Sequence, residues 1–239
     1  MALLEYVSDE ELFKEVEFLL GKAKKKQTEA EKTFYRNVID PFGALFESHV
    51  FSSHDQWRNF ELARQYQKTI QNHVGTFHQK LLGHVGGWRD CGVGGVIDLI
   101  NEERKILAEI KNKYSTVTGG DLVHKYHNLD RLISPKTSLY KGYTAFFVNI
   151  IPKKPQRIDK PFTPSDKERG DRCPENEKIR IIDGASFYHI VTGREYALKE
   201  LHSVLPTVIE NVLRERFGIA EFTIKEKESY MRYFSLAYG

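Results

Sequence analysis

The stretch AEIKNK, residues 108–113, stands shortly after GVID, residues 95–98. Successive side chains of a strand point to opposite faces. Ile106, Ala108 and Ile110 then share one face and suit a core. Leu107, Glu109, Lys111 and Lys113 share the other. Three charges in line on one face of an apolar strand need a reason. An amphipathic surface strand is the ordinary one. Asp98 argues for another, because GVIDLI is an apolar strand in which an aspartate is costly without a partner.

The polar turn NEER, 101–104, joins the two runs, so Val93–Ile100 and Lys105–Lys113 are predicted to pair as a hairpin. If Asp98 faces the same side as Glu109, the two carboxylates can share a divalent cation. Magnesium favours such hard oxygen ligands and keeps several waters. The backbone carbonyl of Ile110 could complete the shell. Lys111 could polarise the attacking water or stabilise charge growing on phosphorus. Lys113, Thr116 and Thr118 follow as donors to phosphate.

Composition sets wide bounds. The chain has 239 residues, is 40% hydrophobic and carries a net charge of +3. That mild basic balance fits a DNA partner without requiring one. Cys91 and Cys173 lack CxxC spacing, which argues against a cysteine zinc site and fits a reducing, cytoplasmic setting. His124 and His127 could form half of a zinc site, but no further ligand is spaced to complete it. No long apolar run suggests a membrane span, and the acidic start lacks the pattern of a signal peptide.

Ser8 with Glu11 is a capping box that opens a helix through about Lys24. DPFGALFE, 40–47, reads as a turn into a short helix. Ser53 with Gln56 opens a long helix to about Leu82. Its apolar stripe is Phe60, Ala63, Tyr66, Ile70, Val74, Phe77 and Leu81, with Glu61, Lys68, Asn72 and Gln79 opposite. A helix is predicted after the loop at 116–120. YTAFFVNIIP, 143–152, and IRIID, 179–183, read as buried strands. GASFYHIVTG is a short helix, and REYALKELHSVL and PTVIENVLRERFG are two more, with Pro206 in the first turn of the second. SYMRYFSLAY reads as a last strand. The expected fold class is α/β (α+β), with a central mixed sheet flanked by helices.

The triad Asp98, Glu109, Lys111 resembles the PD-(D/E)XK nuclease core, with Ile97 where that motif has proline. A wider resemblance runs from about Asp40 to Ile209. It rests on DP at 40–41, ELARQYQKTIQNHVGTFHQKLLG at 61–83, GVIDLI, AEIKNKYSTVTGGD, IRIIDGASFYHIVTG and LHSVLPTVI. On these stretches the chain resembles the type II restriction endonucleases that recognise GGNCC or GGWCC. The resemblance implies one endonuclease domain over 1–239, mainly helical in 1–90, with the catalytic core in 91–239. It implies Mg2+-dependent cutting of both strands of double-stranded DNA. It also implies a homodimer on a near-palindromic site, and a cognate methyltransferase in the same system that is not a binding partner.

Glu61 then becomes a candidate to join the metal through water. Asn72, His78 and Gln79 match the same family motif and are candidate supporting residues. The charged, proline-containing stretch 153–178 is the expected DNA-contacting loop, with Arg157, Lys160, Arg169 and Arg172 as contacts. Two other readings remain at this point. One is a structure-selective repair or junction nuclease. The other is a non-catalytic DNA-binding protein whose charged strand is only a surface. An enzyme of small phosphorylated molecules is disfavoured, because GVGG at 92–95 precedes a strand instead of opening a helix.

Overall fold

The computed structural model describes residues 2–92 and 94–239. The helices are α1 (Asp9–Thr28), α2 (Ala30–Thr33), α3 (Pro41–Glu47), α4 (His54–Gly83), α5 (Gly119–Ile133), α6 (Gly184–Thr192), α7 (Ala197–Phe217) and α8 (Lys227–Tyr238). The strands are β1 (Arg89–Asp90), β2 (Leu99–Asn101), β3 (Ile106–Lys113), β4 (Thr144–Ile151), β5 (Asp159–Pro161), β6 (Ser165–Asp166), β7 (Asp171–Arg172) and β8 (Ile179–Asp183).

Six strands form one mixed sheet in the order β1-β2-β3-β4-β8-β5. β3, β4 and β8 run parallel at its centre, β2 and β5 run antiparallel to them, and β1 pairs antiparallel to β2 at the edge. The central strands are covered on both faces, so they read as apolar runs. On one face Ile106, Ala108, Ile110, Phe146 and Val148 pack against Leu12, Phe77, Leu81, Phe187 and Leu201 from α1, α4, α6 and α7. On the other, Leu107, Ala145, Phe147 and Ile179 pack against Tyr126, Leu129 and Ile133 of α5 and against Phe162 and Cys173. The alternation expected along β3 is therefore present, with α5 covering the face that carries Glu109. Gly184 starts α6 directly under β4, where an added Cβ would lie 2.5 Å from the Ile150 carbonyl oxygen.

Several elements differ from expectation. The predicted strand Val93–Ile100 starts at a residue outside the described ones and is regular only from Leu99. Gly92 and Gly94 take positive φ, 76° and 97°, which breaks the extended run. The two helices expected around Pro206 are one helix, α7. Proline removes one backbone bond there, but Leu198, Leu201, Val208 and Val212 bury a continuous stripe across it. The expected last strand is helix α8. Its aromatic content resembles a strand, yet Phe234 and Tyr238 are one turn apart and pack together at 4.6 Å between ring centroids.

The Ser8–Glu11 capping box is formed, and α1 runs on to Thr28. Ser53 caps α4, while the Gln56 side chain accepts from the Ser52 N–H instead. The stripe predicted on α4 holds only in its C-terminal half, at Phe77 and Leu81. In the N-terminal half Trp57, Glu61 and Gln65 are the buried residues, and Phe60 and Tyr66 are exposed. No helix among the described residues is long and apolar enough to cross a membrane.

Candidate active site

The site is built on the β2–β3 hairpin. Asp98 immediately precedes β2, whose first residue, Leu99, pairs with Ala108. Its backbone N–H donates to the Ala108 carbonyl at 2.8 Å. Its carboxylate Oδ2 accepts from the Ile110 N–H at 2.6 Å. Asp98 is thus tied to the strand that carries Glu109, Ile110 and Lys111. Burial pushes its pKa above the ordinary aspartate value. The Ile110 N–H and the nearby Lys111 and Lys125 ammonium groups pull it back, while Glu109 adds to the rise.

Glu109 is buried, with 3% of its surface exposed. Its Oε1 meets the Lys111 ammonium at 3.0 Å and the Lys125 ammonium at 2.5 Å. Its Oε2 is buried without a hydrogen-bond partner. Lys125 comes from α5, the crossover between β3 and β4 that lies over this face. Sequence reasoning missed it. A helix joining two parallel strands must cross one face of the sheet, but that rule does not say which of its residues reaches Glu109.

An unpartnered buried carboxylate oxygen is expensive unless a ligand satisfies it. The Asp98 and Glu109 carboxylates are hard oxygen donors of the kind a divalent ion takes. The Ile110 carbonyl is a third candidate donor on the same stretch of strand. These residues fit a metal that keeps part of its water shell. Among the described residues no group of three or more His, Cys, Asp and Glu is gathered to hold an ion.

Glu61 is not brought to this cluster. The α4 side chain that reaches the Asp98 segment is Gln79, which donates to Asp90 Oδ1 at 2.6 Å and to the Asp98 carbonyl at 3.5 Å. Glu61 lies about 27 Å from Gln79 along the helix, at 1.5 Å rise per residue. Its carboxylate accepts from Arg64 Nε at 2.6 Å and Gln65 Nε2 at 2.9 Å, and Gln65 also donates to the Phe34 carbonyl. Burial alone would raise the Glu61 pKa, but these two bonds outweigh it and hold it below the ordinary value. The suggested water-mediated metal role is therefore corrected, because Glu61 is engaged by Arg64 and Gln65, and Gln65 in turn ties α4 to the Phe34 carbonyl.

His78 is also engaged elsewhere. It is buried and shares a hydrogen bond of 2.6 Å with the Tyr188 hydroxyl. Burial lowers its pKa to about 4. Asn72 is exposed on α4.

Lys113 and Thr116 stand where β3 ends. The Thr116 hydroxyl donates to the Lys113 carbonyl, and Thr118 donates to Asp121 at 2.6 Å. Lys111, Asn149 and Asp183 are register partners across β3, β4 and β8. Arg157 lies at the same end of the sheet, 4.0 Å from Asp183 and bonded to the Glu195 carbonyl. Lys160 sits on β5 opposite Ile181. Arg169 and Arg172 belong to a separate ribbon, β6–β7, where Arg169 meets Asp166 and Arg172 donates to the Thr163 carbonyl at 2.9 Å. The four candidate contacts from the 153–178 stretch are therefore spread over two places.

A mixed sheet flanked by helices, with two carboxylates and a lysine on the hairpin at its centre, is the restriction-endonuclease-like fold. The family model described as Eco47II restriction endonuclease matches residues 4–214, and the chain belongs to that family. It is 68% identical over 239 residues, the whole of both chains, to the type II restriction enzyme Eco47II of Escherichia coli. It is 33% identical over 213 residues to the type II restriction enzyme Sau96I of Staphylococcus aureus, covering 87% of this chain and 80% of that one. The chain is a type II restriction enzyme, a site-specific deoxyribonuclease.

Proposed function

We propose that the protein hydrolyses both strands of double-stranded DNA at GGNCC or GGWCC and requires Mg2+. It leaves 5′-phosphate ends with 5′ overhangs, within a restriction-modification system whose methyltransferase protects the host site. The observation that carries the metal-dependent reading is the buried, unpartnered Oε2 of Glu109 beside Asp98. The resemblance in 40–209 supports the choice of target.

Asp98, Glu109 and the Ile110 carbonyl would hold the ion, which supplies Lewis acidity and lowers the pKa of water. Lys111 carries the remaining chemistry assigned to this chain. Its ammonium stands against Glu109, where it can hold a water in line and stabilise charge growing on the phosphate oxygens. Water adds to phosphorus, the P–O3′ bond breaks, and the proton lost by water balances the one gained by the 3′ oxygen. Lys113, Thr116, Thr118, Arg157 and Lys160 are proposed to contact DNA, with Arg169 and Arg172 doing so from the ribbon.

Incubation with unmethylated phage DNA, with magnesium or with chelator, followed by sequencing of fragment ends, tests this directly. Discrete ends at GGNCC or GGWCC only with magnesium are expected. A smear, or cutting that persists in chelator, would overturn it.

A further inference from the structure

Helix α3 buries none of its residues. Yet Phe42, Leu45 and Phe46 form an i, i+3, i+4 apolar stripe, the pattern of a helix face made to be covered. They are 73%, 73% and 79% exposed, and Val38 and Val50 on either side are 96% and 68% exposed. At roughly 150–250 Å² for a large aromatic side chain, the patch reaches several hundred Å². That exceeds what monomers usually expose and approaches the about 800 Å² per partner of a standard interface.

The segment is held in place. Asp40 caps α3 through the Phe42 and Gly43 N–H groups, both at 3.0 Å. The Trp57 indole donates to Glu47 at 2.8 Å. Gln65, oriented by Glu61, bonds the Phe34 carbonyl where the segment begins.

We infer that the segment 34–51, centred on α3, is the surface on which a second copy of this chain docks. Its shape is self-complementary. Phe42 and Phe46 protrude, and beside them lies a groove of about 660 Å³ lined by Pro41, Ala44, Leu45, Phe51 and Trp57. Knob and hole on one patch are what a two-fold, isologous contact needs. Charge excludes a nucleic-acid partner here, because no Lys or Arg occurs between Arg36 and Arg58, while Asp40 and Glu47 do. A two-fold pair also matches a near-palindromic target, and only that part of the argument rests on the proposed function.

Sedimentation of the full chain without DNA, over a wide concentration range, tests the surface. The wild type should sediment at twice its 27.8 kDa chain mass. Phe42→Asp with Phe46→Asp should weaken pairing by about thirtyfold or more for each anchor lost. Circular dichroism should stay near wild type, since α3 buries nothing within one chain, and melting should match that of the wild type diluted until unpaired. Tyr233→Asp with Leu236→Asp on α8, where both residues are exposed, should remain paired. A wild type that is single at every concentration overturns the inference. So does a Phe42/Phe46 variant that stays paired, or pairing lost only in the α8 variant. Site-specific cutting is read separately on DNA, so a monomeric wild type that still cuts at its site would sink this surface and not the proposed reaction.

Discussion

Glu61 and Glu109 are equally buried, each 3% exposed, and each meets basic side chains. They differ in what is left over. Glu61 closes its own network within one helical turn, with Arg64 and Gln65 taking its two oxygens. Glu109 draws Lys111 from its own strand and Lys125 from α5, both onto Oε1, and leaves Oε2 with nothing. A satisfied buried charge holds a structure together. A half-satisfied one, beside another carboxylate, marks where a ligand is missing. The difference lies in partner count, not in burial or charge.

The largest effect should come from the unsatisfied glutamate. Glu109→Gln and Lys111→Ala should each cut the cleavage rate about 10³-fold, roughly 4 kcal/mol of transition-state stabilisation. Stability should change little for Glu109→Gln, because both lysines are partly exposed and can turn to solvent, whereas Lys111→Ala should cost about 1–3 kcal/mol, since buried Glu109 then keeps only Lys125. Single-turnover cleavage alongside urea denaturation checks both halves. An active Lys111→Ala protein would remove lysine from the mechanism.

Lys125 sharpens the same point. It touches Glu109 and no reacting atom, so it acts as a positioning residue. Lys125→Ala should slow cleavage by about ten- to a hundredfold, with Lys125→Arg recovering part of the loss. If alanine costs nothing, the 2.5 Å contact is incidental to the reaction.

Glu61→Ala should do the opposite of Glu109→Gln. It should cost about 1–3 kcal/mol of stability, since Gln65 and Arg64 lose their acceptor, while the folded enzyme cuts within a few-fold of wild type. Full folding with no cleavage would return Glu61 to the site.

How this contrast reads in the sequence depends on range. Asp98, Glu109 and Lys111 lie within one hairpin, where strand alternation decides which side chains meet, so their juxtaposition is legible. β4 and β8 are legible because strands covered on both faces are apolar throughout. Lys125 is not legible, since its contact depends on where the crossover helix lands. Glu61 looks like a site residue because it stands opposite the apolar stripe. Its partner Gln65 is bonded to the Phe34 carbonyl, a contact that no periodicity of α4 encodes. α7 and α8 are obscured locally: proline interrupts one and aromatic content gives the other the look of a strand, while burial follows the three-to-four spacing in α7.

The smallest effect separates two buried groups by pH. His78 is held neutral down to about pH 4 in the fold, against about 6.5 in the unfolded chain. Between those values the unfolded state binds the extra proton, so stability rises with pH. It should therefore fall as pH drops from about 6.5 toward 4, by at most about 1.4 kcal/mol per unit from this group. Glu61, whose pKa is lowered by Arg64 and Gln65, acts in a lower window. Its contribution is complete above the ordinary glutamate value and is lost as pH falls through the depressed one. Urea denaturation at about pH 7, 6 and 5 should show a slope that His78→Asn flattens and Glu61→Ala leaves in place. An unchanged slope in His78→Asn would mean that the hydrogen bond to Tyr188 offsets the cost of burying the ring, and that the acid sensitivity arises elsewhere.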